Sequence, residues 1–348
     1  MGSVLASSGE DDQSTTPKSG SKRDDDLKLP FHQRMACKLL NVGPTPTHIA
    51  FIMDGNRRYA RKLGVERIVG HRRGYSTLLR VLKWCNHLDV KVVTVYAFAL
   101  DNFKRSKKEV DSLMELATQK FTEMLDSERE ISQFGVRVNI IGALKHLPPK
   151  LQHVMARVMK STRGHNKLVL NIAFAYSADQ EFSDAASMLA DGVDQGLLKI
   201  EDVSANLVQK CLYTAGQPDP DLLIRTSGET RLSDFMIHQC RRGSTLLSFV
   251  EPLWPEFSFW QFWAIIFHYQ TQYRSLDAER NRLKMLEGGA QLKHHIEAKE
   301  PLSDSKKKNE EPEMDHNELK VERISTFLRK CQLGQERYVD RLAVNKCF

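Results

Sequence analysis

The sequence predicts an α/β protein: a central parallel sheet with helices on both faces and a helical extension at its C-terminal end. Three observations carry this. Short continuous apolar runs ("IAFIM", "VKVVTVYAF", "VRVNII", "LVLNIAFAY" and "DLLIRT") recur along the chain. Segments with apolar residues at helical spacing separate them, and such alternation means strands buried on both faces by crossover helices. Three of the runs exit into polar, basic sequence, and open parallel sheets hold ligands at the carboxyl ends of their strands.

Taken in order, residues 1–28 are low-complexity Ser/Asp/Lys sequence, expected to be disordered. Residues 29–43 include "LPFHQRMACKLL", which places Phe31, Met35 and Leu39 at i, i+4 and i+8. This is a short amphipathic helix, expected to pack on the domain through that stripe. The main domain, 44–275, opens with the strand "IAFIM" and a helix at "RRYARKLG". A helix with the stripe Tyr75, Leu78, Leu79, Leu82 and Cys85 leads into the second strand. A long helix follows, carrying Val110, Leu113, Met114, Ala117, Phe121, Met124 and Leu125. The remaining strands are separated by helical stretches after Pro149 and Ala178. Residues 276–348 read as a charged, apolar-poor linker, or a solvated helix in its place, and a terminal helix pair around Gly334.

Composition narrows the partners. The 348 residues carry a formal net charge of +7, which favours phosphates, nucleic acid or an acidic membrane surface. The six cysteines lie far apart with no zinc spacing, as expected of reduced thiols in a cytosol-facing protein. The N-terminal stretch lacks the apolar core of a signal peptide, and Ala6 breaks the myristoylation pattern. No apolar run approaches the ~18–20 residues that span a bilayer. A nucleic-acid reader would interleave aromatics with its basic residues. Here the aromatics sit within apolar strands and helices, so no nucleic-acid partner is expected.

The chemistry gathers at three strand exits. In "MDGNRR", Asp54 closes a strand, Gly55 and Asn56 open a helix, and Arg57 and Arg58 follow. A glycine there lets the backbone approach a ligand, and Asp54 could hold Mg²⁺ against a diphosphate. Read alone, the same cluster fits a simple N-cap with solvated arginines. The second exit, "YAFALDNFKRSKKE", delivers Asn102, Lys104 and Arg105; by itself it is a solvated basic loop. In the third, "DLLIRTSGETRLSDF", Arg225 ends a strand and Arg231 and Ser233 follow, suiting bidentate phosphate binding. Three basic exits from one sheet imply a crevice for more than one phosphate group. Neither a P-loop nor a dinucleotide fingerprint is present.

The segments "HIAFIMDGNRRYA", "VTVYAFALDNFKRS", "LIRTSGETRLSDF" and "LWPEFSFW", in this order, resemble the signature segments of the cis-prenyltransferases. The resemblance covers roughly 48–270. It implies a hydrophobic tunnel between sheet and long helices, and addition of isopentenyl diphosphate units in cis to farnesyl diphosphate. It also implies that Asp54 holds Mg²⁺ and that Gly55, Asn56, Arg57, Arg58, Arg67 and His71 surround the allylic diphosphate. Arg225, Arg231 and Ser233 would grip the isopentenyl diphosphate, while Asn102 and Arg105 line the reacting centre. Eukaryotic members of this kind make dehydrodolichyl diphosphate for dolichol and protein glycosylation at the cytosolic face of the endoplasmic reticulum. They make peripheral membrane contact and take an Arg-x-Gly element from an accessory subunit resembling the Nogo-B receptor. Where the domain ends, this chain offers Arg274 but Leu276 in place of that glycine.

The chain departs from the family pattern at Ala99, where serine is common, and at His238, where tryptophan is usual. The 235–249 segment also lacks the glutamate that bacterial homodimers use there as a metal ligand. Two other readings remain at this point. One is a non-catalytic subunit of the same fold that binds isoprenoid or a partner. The other is a phosphatase of a different α/β fold, which would want an aspartate where Asn56 stands.

Overall fold

A computed structural model describes residues 29–126, 135–240, 243–297 and 316–344. The expected tail, 1–28, and part of the expected linker, 298–315, lie outside the described residues. Six strands form one sheet: β1 (His48–Ile52), β2 (Val92–Ala99), β3 (Val136–Ile141), β4 (Leu168–Tyr176), β5 (Leu222–Arg225) and β6 (Leu246–Phe249). Their order is β3-β4-β2-β1-β5-β6, and every neighbouring pair is parallel. Helices connect them: α1 (Phe31–Leu40), α2 (Asn56–Lys62), α3 (Arg67–His87), α4 (Lys107–Asp126), α5 (Pro149–Ser161), α6 (Ala178–Asp194), α7 (Ala205–Lys210), α8 (Ile237–Cys240), α9 (Phe259–Glu297) and α10 (His316–Val344).

The strand sequences explain the layers. β1 and β5 are buried at every position, as strands covered on both faces must be. Ile49 and Phe51 join the large core with Leu78, Trp84, Leu170, Phe257 and Phe262, beneath α3, α4, α5 and α9. Ala50 and Ile52 point the other way, into a smaller core with Tyr176, Phe235 and Met236. That second face carries a buried polar chain. His48 Nδ1 donates to the Pro218 carbonyl (2.7 Å), so Nε2 accepts from the Thr94 hydroxyl (2.7 Å), which itself accepts from Asn171. Burial pushes the His48 pKa down to about 4.

Three expectations are corrected. α1 does dock on α9, with Trp263 Nε1 donating to the Ala36 carbonyl, but through the other face. Leu29, Cys37 and Leu40 are buried, whereas Phe31, Met35 and Leu39 stand exposed at 70%, 49% and 65%. The boundary at 275 falls inside a continuous helix, since α9 runs on to Glu297. Nor is there a helix pair around Gly334: α10 runs through it unbroken, because an interior glycine weakens a helix by only ~1 kcal/mol and does not end it. α10 is fastened by Phe327, buried against Gly192, and by the Arg323–Asp202 and Arg163–Asp340 pairs.

Candidate active site

Register brings the three polar exits together. Ile52 lies beside Tyr96 on one side and beside Arg225 on the other, so β2, β1 and β5 release their chains at one level. A cavity of about 260 Å³ opens there, lined by Asp54, Gly55, Asn56, Arg57, Arg58, His71, Asn102, Arg105, Arg225 and Ser233, among others. Gly55 makes the first turn possible: its φ of 107° is a left-handed conformation that other residues adopt at a cost. Two further glycines let α3 lie directly on the start of α2. A Cβ at Gly74 would come within 2.2 Å of Asn56 Oδ1, and one at Gly70 within 2.1 Å of the Asn56 carbonyl.

Asp54 is the pivot of one cluster. Its Oδ1 accepts the Gly55 N–H at 2.7 Å, and its Oδ2 accepts from Arg225 Nη2 at 3.0 Å. Arg58 reaches Asp54 at 3.6 Å and Glu229 at 3.3 Å. Arg225, 3% exposed, also donates to the Ser233 hydroxyl at 2.7 Å and to the Arg231 carbonyl. It therefore ties the third exit to the first. Arg231 departs from expectation: its guanidinium is exposed, paired with Glu229, and does not line the cavity. Ser233, Asp234 and Met236 all have φ near +50°, a tight loop for residues other than glycine.

Glu109 is the pivot of the other cluster. Arg105 (3.1 Å), Arg57 (3.7 Å) and Arg67 all pair with its carboxylate, which is 8% exposed. Burial alone would raise its pKa, but the three guanidiniums outweigh that and hold it below the usual carboxylate range. Arg67 sits at the rim of the cavity, held by Glu109 and not itself a lining residue. Asn102 turns back so that its Oδ1 accepts the Ala99 N–H at 3.2 Å.

His71 stands where the polar cavity meets an apolar one. Burial, with Arg105 and Arg57 beside it, lowers its pKa to about 4, so the imidazole is neutral at pH 7. Its Nε2 and Asn56 Oδ1 are buried without hydrogen-bond partners, as groups reserved for a ligand would be. Beyond His71 lies a cavity of about 160 Å³ walled by α3 and α4 residues such as Leu78, Leu82, Ala117 and Phe121, by Phe98, Ile172 and Phe174 of the sheet, and by Trp254. The tunnel expected between sheet and long helices is present, and both cavities share Met53, Asn56, His71 and Phe98.

Sequence reasoning missed Glu109, Glu229 and Trp254, whose indole donates to the Gly74 carbonyl at 2.8 Å. It also missed a buried brace behind the Ser233 loop. Glu181 accepts from the Tyr176 hydroxyl (2.5 Å), the Tyr213 N–H (2.8 Å) and Gln239 Nε2 (3.1 Å), and the Tyr176 oxygen accepts the Met236 N–H. The "YSADQE" stretch carries no signal for this, because the other partners come from two distant segments, at Tyr213 and at Met236 to Gln239.

A pocket that joins clustered cations to an apolar tunnel suits an isoprenoid diphosphate, and comparison with known proteins decides the family. The family described as "Putative undecaprenyl diphosphate synthase" matches residues 52–277. The chain belongs to the cis-prenyltransferase family. It is a transferase that makes long-chain polyprenyl diphosphate.

Two relatives resemble this cis-prenyltransferase over most of its length. It is 45% identical to the dehydrodolichyl diphosphate synthase complex subunit of Homo sapiens over 254 residues, 73% of this chain and 76% of that protein. It is 40% identical to the geranylgeranyl-diphosphate-specific tritrans,polycis-undecaprenyl-diphosphate synthase of Pyrococcus abyssi, covering 70% of this chain and 91% of the relative. Among solved structures, lavandulyl diphosphate synthase of Lavandula x intermedia, in complex with dimethylallyl diphosphate, aligns with a TM-score of 0.61 at 29% identity. That alignment covers 65% of this chain and 95% of the lavender enzyme.

Proposed function

We propose that this cis-prenyltransferase extends farnesyl diphosphate with isopentenyl diphosphate to make dehydrodolichyl diphosphate, the precursor of dolichol used in protein glycosylation. One observation carries the reading: the cationic cavity at the strand exits lies against the apolar one, with Met53, Asn56, His71 and Phe98 lining both. The first would hold two diphosphates and the second an isoprenoid chain. A scaffold subunit has no use for Arg225 buried beside Asp54, nor a phosphatase for an apolar tunnel.

In the reaction the allylic C–O bond breaks, the isopentenyl double bond attacks the resulting cation, and a proton leaves the new carbon skeleton. Arg57, Arg58 and Arg105, with Arg67 at the rim, would meet the departing diphosphate. Preorganised charge of this kind is usually the largest catalytic contribution. Neutral His71 and the Asn56 amide would contact it at the tunnel mouth, and Asn102 would orient the reacting centre. Arg225 and Ser233 would bind the isopentenyl diphosphate, with Arg231 swinging in from Glu229. Gly55 would let the backbone close on the anion.

The donor set at Asp54 also fits Mg²⁺. No cluster of three His, Cys, Asp or Glu residues that could hold a metal occurs among the described residues. Mg²⁺ is commonly held by one or two carboxylates together with substrate phosphates, and Asp54 is partly open to the cavity. When bound, the ion would neutralise charge on the leaving diphosphate.

Further observations support association with a membrane surface and a partner. No helix among the described residues is long and apolar enough to cross a membrane. The exposed Phe31, Met35 and Leu39 adjoin exposed Trp260, stacked on His32, and share α1 with Arg34 and Lys38. An apolar stripe flanked by cations suits peripheral contact with the cytosolic face of the endoplasmic reticulum. The human and Schizosaccharomyces pombe relatives are named as complex subunits, and a Nogo-B-receptor-like partner would supply the Arg-x-Gly that Leu276 denies this chain. The test is incubation with radiolabelled isopentenyl diphosphate, farnesyl diphosphate and Mg²⁺, with and without that partner. Long-chain product only with the partner is expected; absence of labelled polyprenol in both arms would overturn the reading.

A further inference from the structure

The tunnel is too small for its product. Its volume of about 160 Å³ is close to that of a cavity that admits a single benzene ring. Its α4 wall, from Leu113 to Met124, is about 16 Å long. A polyprenyl chain of many isoprene units must therefore part the walls or leave between them.

One charged side chain stands among the described lining residues. On α4 the inward stripe is Leu113, Leu116, Ala117, Lys120, Phe121 and Met124, and helical spacing calls for an apolar residue at Lys120. Its ammonium lies over the Tyr75 ring of α3, 5.2 Å from the centroid, and pairs with Glu123 at 2.6 Å. Gln119 holds the other Glu123 oxygen at 2.8 Å. The Lys120 side chain is 24% exposed, so it stands at the border between the cavity and solvent. Leu79, on the facing wall of α3, is 42% exposed. The tunnel meets solvent at this seam.

We propose that Lys120, clasped between Tyr75 and Glu123, is a latch on the seam between α3 and α4 through which the growing chain leaves the tunnel, and that it sets product length. The inference rests on polyprenyl synthesis as proposed above. A chain end reaching Lys120 must displace the ammonium from the Tyr75 face and strip its water. Charged groups resist that desolvation, so elongation slows as the chain arrives there. Lys120→Met keeps the alkyl volume and removes the barrier.

The experiment compares wild type, Lys120→Met and Glu123→Gln, each with the accessory subunit, by chain-length analysis of the dephosphorylated products. Both variants should give a distribution shifted by one or more isoprene units toward longer chains, and broader. An unchanged or shorter distribution would overturn the latch. So would a lower yield with unshifted lengths, the result expected of general destabilisation. Hydrogen exchange of residues 113–126, measured without substrate, is the second readout. It should rise severalfold in Lys120→Met, and unaltered exchange also refutes the latch. Failure of the wild type itself to make polyprenyl product would instead overturn the proposed function, with the exchange measurement still deciding whether the seam is latched.

Discussion

Replacing Asp54 separates what the carboxylate does for the fold from what it does for the reaction. Asp54 accepts from Gly55 and from Arg225, and Arg225 is only 3% exposed. In Asp54→Ala that guanidinium keeps the Ser233 hydroxyl and the Arg231 carbonyl but loses its counter-charge. Breaking a fully buried pair costs roughly 3–5 kcal/mol. The Asp54 side chain is 35% exposed, so water takes up part of the loss, leaving a cost of about 1–2 kcal/mol. For a domain of this size that lowers Tm by about 2–8 °C. Asp54→Asn keeps one acceptor oxygen, enough for the Gly55 N–H or for Arg225 but not for both, and also removes the counter-charge, so it should melt in the same range below wild type. Turnover should fall by about 10²–10³ in both variants, the loss typical of removing one group set against developing charge. The assay is a single condensation of isopentenyl and farnesyl diphosphates, titrated with Mg²⁺ in the presence of the accessory subunit. If Asp54→Asn loses less than about tenfold, some ~1.4 kcal/mol of barrier, Asp54 is a structural cap and the metal assignment is wrong.

Other perturbations test other parts of the molecule. Glu181→Ala should destabilise by about 3 kcal/mol or more, since three buried donors lose their acceptor. It should also raise KM for isopentenyl diphosphate, because Tyr176 braces the Ser233 loop; an unchanged urea midpoint would contradict this. His48 has its pKa lowered from 6.5 to about 4, so its contribution is complete above pH 6.5 and is lost as pH falls toward 4. That window holds at most roughly 3 kcal/mol, and urea midpoints of His48→Gln should vary less between pH 7 and 5 than those of wild type. Arg231→Lys should raise KM for isopentenyl diphosphate more than for farnesyl diphosphate, because an ammonium cannot reproduce the guanidinium fork. The reverse pattern would exchange the two substrate sites.

The strand exits were legible because parallel strands are apolar throughout and change character abruptly where they end. Ten of the twelve proposed site residues line one cavity for that reason, although Asp54, Asn102 and Arg225 are far apart in sequence. β6 was not legible: "LLSF" is four half-exposed residues, too short for any periodicity to mark. α1 misled because it has two apolar faces. Phe31, Met35 and Leu39 make the more regular stripe, but Cys37 and Leu40 meet the groove along α9, where Gln270 donates to the Leu40 carbonyl. Glu109 could not be read at all. Its neighbours in sequence are Lys107 and Lys108, while two of the arginines it gathers come from "GNRR" and the start of α3.

The carboxylates that sequence reading passed over explain how so many cations can wait in one cavity. Like charges packed together repel, and a bare cluster of guanidiniums would push itself apart. Here the cations are divided. Arg57, Arg67 and Arg105 surround Glu109, while Arg58, Arg225 and Arg231 are gathered by Asp54 and Glu229. Six guanidiniums therefore face three carboxylates, and each group keeps surplus positive charge. A diphosphate entering either group, as proposed, would meet arginines already converged, and its oxygens would take over contacts that the carboxylates make. Less ordering is then left for the binding step. Two groups at one tunnel mouth, each with surplus positive charge, would suit two separate anions, one that departs and one that stays. Arg58, paired with Asp54 and Glu229 yet proposed to meet the departing diphosphate, would link the two groups where the anions lie side by side.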